Sequence, residues 1–249
     1  MTPTIGILTP TIGKPELFDC LMSVYEQTHP VTHYIVADGK SAIDPVCRML
    51  DRLPADAHER ILLITLEENV GKGFYGHRVY ASVPMLMNTE YVCYLDEDNW
   101  LDSTHAETLL RTVQESDAAW AYSLRMIYRP NGELLCEDIC ESLGLWPIIG
   151  ADPHHEDAYH CDTSSFMLPR QLASQLGPVW IGGWGQDRVF FRLLRQVAPR
   201  GACSGHPTLS YRLAGNRGSV TAEFFLHGQR QAQIQYSNQD YPWHKQRRP

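Results

Sequence analysis

The chain reads as an α/β protein: a mainly parallel central sheet flanked by helices, with a smaller mixed sheet built from the second half. Three observations predict this class. Short β-rich runs alternate with helical periods through the first hundred residues, a rhythm that implies parallel strands joined by right-handed crossovers. The length of 249 residues and the hydrophobic fraction of 43% suit one large core of this type. After about residue 119 the texture changes to a strand pair around a turn and isolated strand–helix units.

In order, "TIGILTPT" (4–11) is a buried strand running into a polar turn. "PELFDCLMSVYEQT" (15–28) puts Leu17, Phe18, Leu21, Val24 and Tyr25 on one helical face, with Pro15 suited to the first turn. "HYIVADG" (33–39) is a second strand ending at Asp38-Gly39, and "VCRMLDRL" (46–53) a helix. "RILLITLEEN" (60–69) is a third strand, followed by the glycine-spaced loop "NVGKGFYGHR" and a helix through "VYASVPMLMN" that Pro84 should bend or shorten. "YVCYLD" (91–96) is the fourth strand. The helix after it has capping-box spacing at Thr104 and Glu107, with Asp102 as a competing cap.

In the second half, "AWAYSLRMIYRPNGELLCEDI" (119–139) reads as two strands joined at Pro130-Asn131-Gly132. "CDTSSFMLPRQLASQLG" (161–177) is a strand and a short helix stopped by Gly177. "WIGGWGQDRVFFRLLRQV" (180–197) is a glycine-rich loop entering a helix, and "HPTLSYRLAG" (206–215) returns as a strand.

The net charge of -8 argues against nucleic acid as a partner. No apolar run reaches the roughly 18 residues needed to span a bilayer, and "MTPTIGILTPT" lacks the charged start of a secretion signal. The seven cysteines are odd in number and scattered beside apolar residues, which suits reduced thiols in a cytoplasmic protein. "CEDIC" (136–140) with "HHEDAYHC" (154–161) has metal-binding residue types but no CxxC pair, so a polar loop is the favoured reading over a zinc site.

The richest stretch is "YLDEDNW", where Asp96, Glu97 and Asp98 follow an apolar strand. Adjacent carboxylates repel one another and resist losing water, so such a cluster is either a solvated turn or a cation site. Ligands of parallel sheets bind beyond the carboxyl ends of the strands, where Thr9, Pro10, Thr11, Asp38 and the acidic cluster all fall. A D-x-D there suits Mn2+ or Mg2+, hard cations that keep open positions for phosphate oxygens.

Together these pieces resemble the family 2 glycosyltransferases of the GT-A fold, in that family's order. "ILTPTIGKPELFDCLMSVYEQT" resembles the opening strand and helix that cradle the nucleobase, and "HYIVADG" the strand whose terminal acid contacts base or ribose. "ENVGKGFYGHR" resembles the N-x-G loop and following arginine, here Asn69, Gly71 and Arg78. "YLDEDNW" resembles the D-x-D signature, and "GGWGQD" the loop ending in the catalytic acid, with Gln186 where the family usually has glutamate.

With no internal repeat and no clear linker, the chain reads as a single domain over 1–249: a nucleotide-sugar half (1–102), an acceptor-side half (103–230) and a tail (231–249), the resemblance covering roughly 4–195. The resemblance implies an inverting, metal-dependent transfer from a nucleotide-diphosphate sugar, UDP favoured, to a hydroxyl of a glycan or glycolipid, as in polysaccharide biosynthesis. Asp98 would be the main metal ligand, Asp96 would touch ribose or metal, Glu97 would point away as a tuning charge on the donor side, and Asp187 would be the general base. A helix-capping role for Asp187 is the plainer alternative.

His206 matches a late metal-ligating histidine, against a surface-turn reading. Lys72 and Arg78 are placed to neutralise diphosphate or to serve as a solvated helix face. Trp180 and Trp184 are placed to stack on an acceptor sugar or to pack. "NRGSVTAEFF" suggests a lid from which Arg217 reaches phosphate. The tail's Tyr241, Trp243, Lys245, Arg247 and Arg248 suit weak peripheral membrane contact, although a disordered basic end is the commoner use of such a composition. Two other functions compete. A sugar nucleotidyltransferase would need a richer glycine and basic loop than "LTPTIGKPE", and a silent sugar-nucleotide- or glycan-binding domain would not need Asp187.

Overall fold

The computed structural model describes residues 2–72, 75–214, 220–237 and 240–244. Along the chain the elements are β1 (Ile5–Thr11), α1 (Leu17–Tyr25), β2 (Val31–Asp38), α2 (Lys40–Leu50), β3 (Ile61–Leu66), α3 (His77–Ser82), β4 (Tyr91–Tyr94), β5 (Trp100–Leu101) and α4 (His105–Ser116). There follow β6 (Trp120–Tyr122), β7 (Arg125–Tyr128), β8 (Leu134–Glu137), β9 (Phe166–Pro169), α5 (Arg170–Leu176), α6 (Gln186–Val197), β10 (Gly201–Cys203), β11 (Leu209–Arg212) and α7 (Ala222–Tyr236).

The main sheet has the order β10-β6-β9-β4-β1-β2-β3. Every strand points the same way except β9, which is antiparallel to both β4 and β6. It is buried on both faces, as the apolar runs require. On β2, Tyr34 and Val36 join one hydrophobic cluster while Ile35 and Ala37 join the other; Val92 and Tyr94 part from Cys93 in the same way on β4. A second sheet, β5-β11-β7-β8, stands beside it and carries the hairpin around Pro130-Asn131-Gly132.

Local differences from the sequence reading have local causes. Helix α2 starts six residues earlier than "VCRMLDRL" suggests, at Lys40 behind Gly39, and runs through Pro45. Pro84 does end α3, since Ser82 is its last residue and a short 3-10 turn follows. The capping box of α4 is not formed. Asp102 accepts from the Thr104 amide and hydroxyl at 2.9 and 2.6 Å, and Glu107 accepts instead from the Thr28 hydroxyl at 2.7 Å. Helix α7 was not legible: only Phe225 and Ala232 of it are buried, too few to set a period.

Trp243 is not part of a loose tail. It is fully buried, stacked on Tyr241 with centroids 5.1 Å apart and edge-on to Trp146. Lys245, Arg247 and Arg248, and Arg217 of the suggested lid, lie outside the described residues.

Candidate functional site

The carboxyl ends of β1, β2 and β4 open on one crevice, and the acidic turn forms its floor. Asp96 accepts a 2.6 Å hydrogen bond from the Tyr80 hydroxyl, and its amide donates to Ser164 Oγ at 3.1 Å. Burial, then the charges of Asp98 and Asp162, push its carboxyl up to about 7, against the pull of the Tyr80 hydroxyl. Asp98 is half-buried and meets Lys14 Nζ at 3.4 Å. Glu97 is buried. It accepts from Thr11 Oγ1 at 2.5 Å and from the amides of Ile12 and Lys14 at 3.2 and 3.1 Å, fastening the turn after β1. The donor-side role expected of Glu97 is therefore corrected to a strap within the protein.

The second wall is the loop after β3. Asp38 Oδ1 and Oδ2 accept from the amides of Val70 and Gly71 at 2.7 and 2.8 Å, and Asn69 Nδ2 donates to the Asp38 carbonyl at 3.1 Å. Gly71 is required here: a Cβ would lie 2.2 Å from the Tyr75 carbonyl oxygen and 2.6 Å from Asp38 Oδ2. Asp38 and the N-x-G loop thus define each other's position. Lys72 and Arg78 are exposed, one on this loop and the other in the first turn of α3. Pro10 is buried, with Gly76 lying directly against its ring. Thr9 needs correction: it is buried within the sheet, its hydroxyl 3.0 Å from His33 Nε2 and 3.7 Å from Cys20 Sγ, where no donor reaches it.

The third wall is the start of α6. Gly185 is its N-cap with no side-chain cap, so Asp187 lies in the first turn without serving as the capping residue. Its Oδ2 is 3.8 Å from His160 Nε2. That contact is not an ion pair, because burial drives the His160 pKa down and keeps the ring neutral. Helix α6 packs beside the end of β4, Phe190 meeting Tyr94 edge-on with centroids 6.1 Å apart, and the Asp187 charge is the smallest of the contributions that raise Asp96.

Behind them lies a charge cluster that sequence reasoning missed. Arg125 is buried and donates to Asp138, Asp162 and Glu141 at 2.8, 2.6 and 2.7 Å, and Arg188 donates to the other oxygen of Glu141 at 2.8 Å. Asp138 and Glu141 belong to "CEDIC" and its flank, so these acids serve a guanidinium, and Cys136 and Cys140 are free thiols.

Two further expectations fail. Trp180 is 0% exposed and stacks on Phe190 with centroids 4.4 Å apart, so it is core and offers no face to an acceptor; Trp184, by contrast, is 80% exposed. His206 is carried away by strand register. Trp100 pairs with Ser210, Leu101 with Leu209, and the Asp102 amide with the Thr208 carbonyl. His206 therefore lies beyond the Asp102 end of this ribbon and Asp98 beyond the Trp100 end. His206 lines a separate cavity of about 360 Å3 with Asp102, Glu107 and Arg111.

Among the described residues no group of three or more His, Cys, Asp or Glu side chains is arranged to hold a metal ion. The residues at hand still fit one. Asp96 and Asp98 give two oxygen donors, with Asp96 raised to about 7 by burial and then by the neighbouring carboxylates, and a hard divalent cation takes its remaining ligands from phosphate or water.

The sequence profile of the family described as glycosyl transferase family 2 matches residues 7–135. No curated protein matches the chain. Among solved structures the fold is similar to S. aureus TarS 1–349 in complex with UDP, at 12% identity, with 98% of this chain and 68% of that chain covered and a TM-score of 0.62. TarS 1–349 in complex with UDP-GlcNAc is matched at 12% identity over 98% of this chain and 69% of that one, with a TM-score of 0.61. Against the longer TarS structure the identity is 13%, the TM-score is 0.59, and 98% of this chain spans 41% of that chain.

Proposed function

Since this chain belongs to glycosyl transferase family 2 and has a glycosyltransferase fold, we propose that it is an inverting, metal-dependent enzyme acting on a UDP-sugar and a glycan or glycolipid hydroxyl. The observation that carries this reading is that α6, whose first turn holds Asp187, packs through Phe190 against Tyr94, the last residue of β4 before the acidic turn of Asp96 and Asp98. A base on one wall and a diphosphate-side acid pair on the floor suit a displacement at carbon.

In that reaction the acceptor hydroxyl gives its proton to the Asp187 carboxylate as its oxygen attacks the anomeric carbon. The bond to the diphosphate oxygen breaks with its electron pair on the leaving group, and in-line attack inverts the configuration. Asp98, helped by Asp96, would hold Mn2+ or Mg2+, and the bound ion would supply Lewis-acid stabilisation of the leaving diphosphate. His160, kept neutral by burial, stands 3.8 Å from Asp187 and brings no positive charge to it. Asp38 and the 69–71 loop provide the nucleoside side, and exposed Trp184 offers a face for the acceptor. UDP is favoured because TarS, with a similar fold, binds UDP and UDP-GlcNAc.

The test is a thermal-shift comparison of UDP, GDP, CDP and dTDP, each with Mn2+, Mg2+ or EDTA, on wild type and Asp187→Asn. Ligand at one hundred times its dissociation constant stabilises by about 2.7 kcal/mol. A UDP shift that vanishes with EDTA and persists in Asp187→Asn is expected, together with a 10²–10⁴-fold loss of sugar transfer in that variant. Transfer undiminished in Asp187→Asn would remove the base from the mechanism, and a UDP shift with no transfer in wild type would favour a silent binding domain.

A further inference from the structure

Asp187 is flanked by two side chains that are both tied down. After it, Arg188 donates to Glu141 at 2.8 Å, and Glu141 is anchored to buried Arg125. Before it, the Gln186 amide Nε2 donates to the Val179 carbonyl, closing the 179–185 loop back onto the first turn of α6. The loop lies against that amide: a Cβ on Gly182 would lie 2.0 Å from Gln186 Oε1 and 2.5 Å from its Cδ, so a side chain there would push the amide aside.

A second tie comes from α3. His77 Nδ1 lies 3.2 Å from the Gly182 carbonyl, which can only accept, so the ring carries its hydrogen on that nitrogen. Beneath the loop, Trp180 is wedged against Phe190, Tyr80 and Tyr94. What this fastened loop displays is apolar: Ile181 is 64% exposed and Trp184 80% exposed.

We propose that Gln186 is a positioning residue whose side-chain amide locks the 179–185 loop to α6, so that Ile181 and Trp184 form a fixed acceptor platform beside Asp187. The platform's role rests on the reading of Asp187 as the base. The chemistry explains why an amide serves at this position. A carboxylate has no hydrogen to give the Val179 carbonyl at neutral pH and would set two acceptors against each other, whereas the amide donates at every pH.

The experiment is amide hydrogen exchange on the full chain for wild type, Gln186→Glu and Gln186→Met, expressed as protection factors at pH 7.5 and 5.5. Both variants should lose protection over 181–184 by about three- to tenfold, with β1 and β4 unchanged. Gln186→Glu should lose less protection at pH 5.5 than at pH 7.5, as the carboxyl facing the carbonyl shifts toward its protonated, donating form, and Gln186→Met should show no such recovery. Unchanged protection in both variants overturns the lock, and so does an equal loss across the sheet, which reports general destabilisation. Asp187→Asn separates the two readings: it keeps Gln186 and hence a protected loop, so full transfer activity in that variant would sink the base while leaving the lock intact.

Discussion

Trp180 and Trp184 sit four positions apart in one glycine-rich loop, and their surroundings set opposite consequences for losing them. Trp180→Ala empties a site packed by Phe190, Tyr80 and Tyr94 and should cost about 3–5 kcal/mol in urea unfolding. Trp184→Ala removes a ring in solvent and should change stability by less than about 0.5 kcal/mol, while raising KM for the acceptor if the ring serves as its platform. Equal losses in the two variants would contradict this assignment. Nothing in "WIGGWGQD" separates the two rings, because burial here depends on α3 and α6 closing over one of them.

At the scale of the element, β7 begins with a buried arginine held by three carboxylates. Arg125 meets Asp138, Glu141 and Asp162, which lie 13, 16 and 37 residues further along the chain. Arg125→Met would leave Asp138 and Asp162 without their cation and Glu141 with Arg188 alone, and should destabilise by about 3–5 kcal/mol. Denaturant unfolding measures it, and a loss below 1 kcal/mol would mean the cluster is solvated. The same separations explain why the cluster was illegible while the strands were not. A buried strand announces itself in consecutive residues such as Tyr91 to Leu95, and Asp187 announces itself by opening a helix after glycines. A guanidinium's partners, or the register that sends His206 away from Asp98, are settled only when distant segments pair.

For the whole molecule, pH acts through buried histidines. Burial lowers His33 from 6.5 to about 3 and His105 to about 4, so the folded chain refuses protons that the unfolded chain takes. Each therefore subtracts about 1.4 kcal/mol per pH unit as pH falls below about 6.5, until its folded pKa is approached. Asp96, raised to about 7, acts in the opposite sense: its contribution is gained as pH falls from 7 toward 4 and lost as pH rises through 7. His33→Gln isolates one term. Measured by urea unfolding, wild type should lose about 2 kcal/mol relative to this variant between pH 6.5 and 5. Parallel pH curves would show that His33 is protonated in the folded state.

The reversed strand β9 has a consequence for how the protein is made. It fills the gap between β4 and β6, yet Phe166 is synthesised long after Tyr94. At ordinary translation rates the apolar edge of β4 waits on the order of ten seconds for its neighbour. Throughout that interval the nascent chain presents an open template for strand addition, so the hazard for this fold lies on the ribosome, where a chaperone or a slow codon would matter more than any contact in the finished sheet.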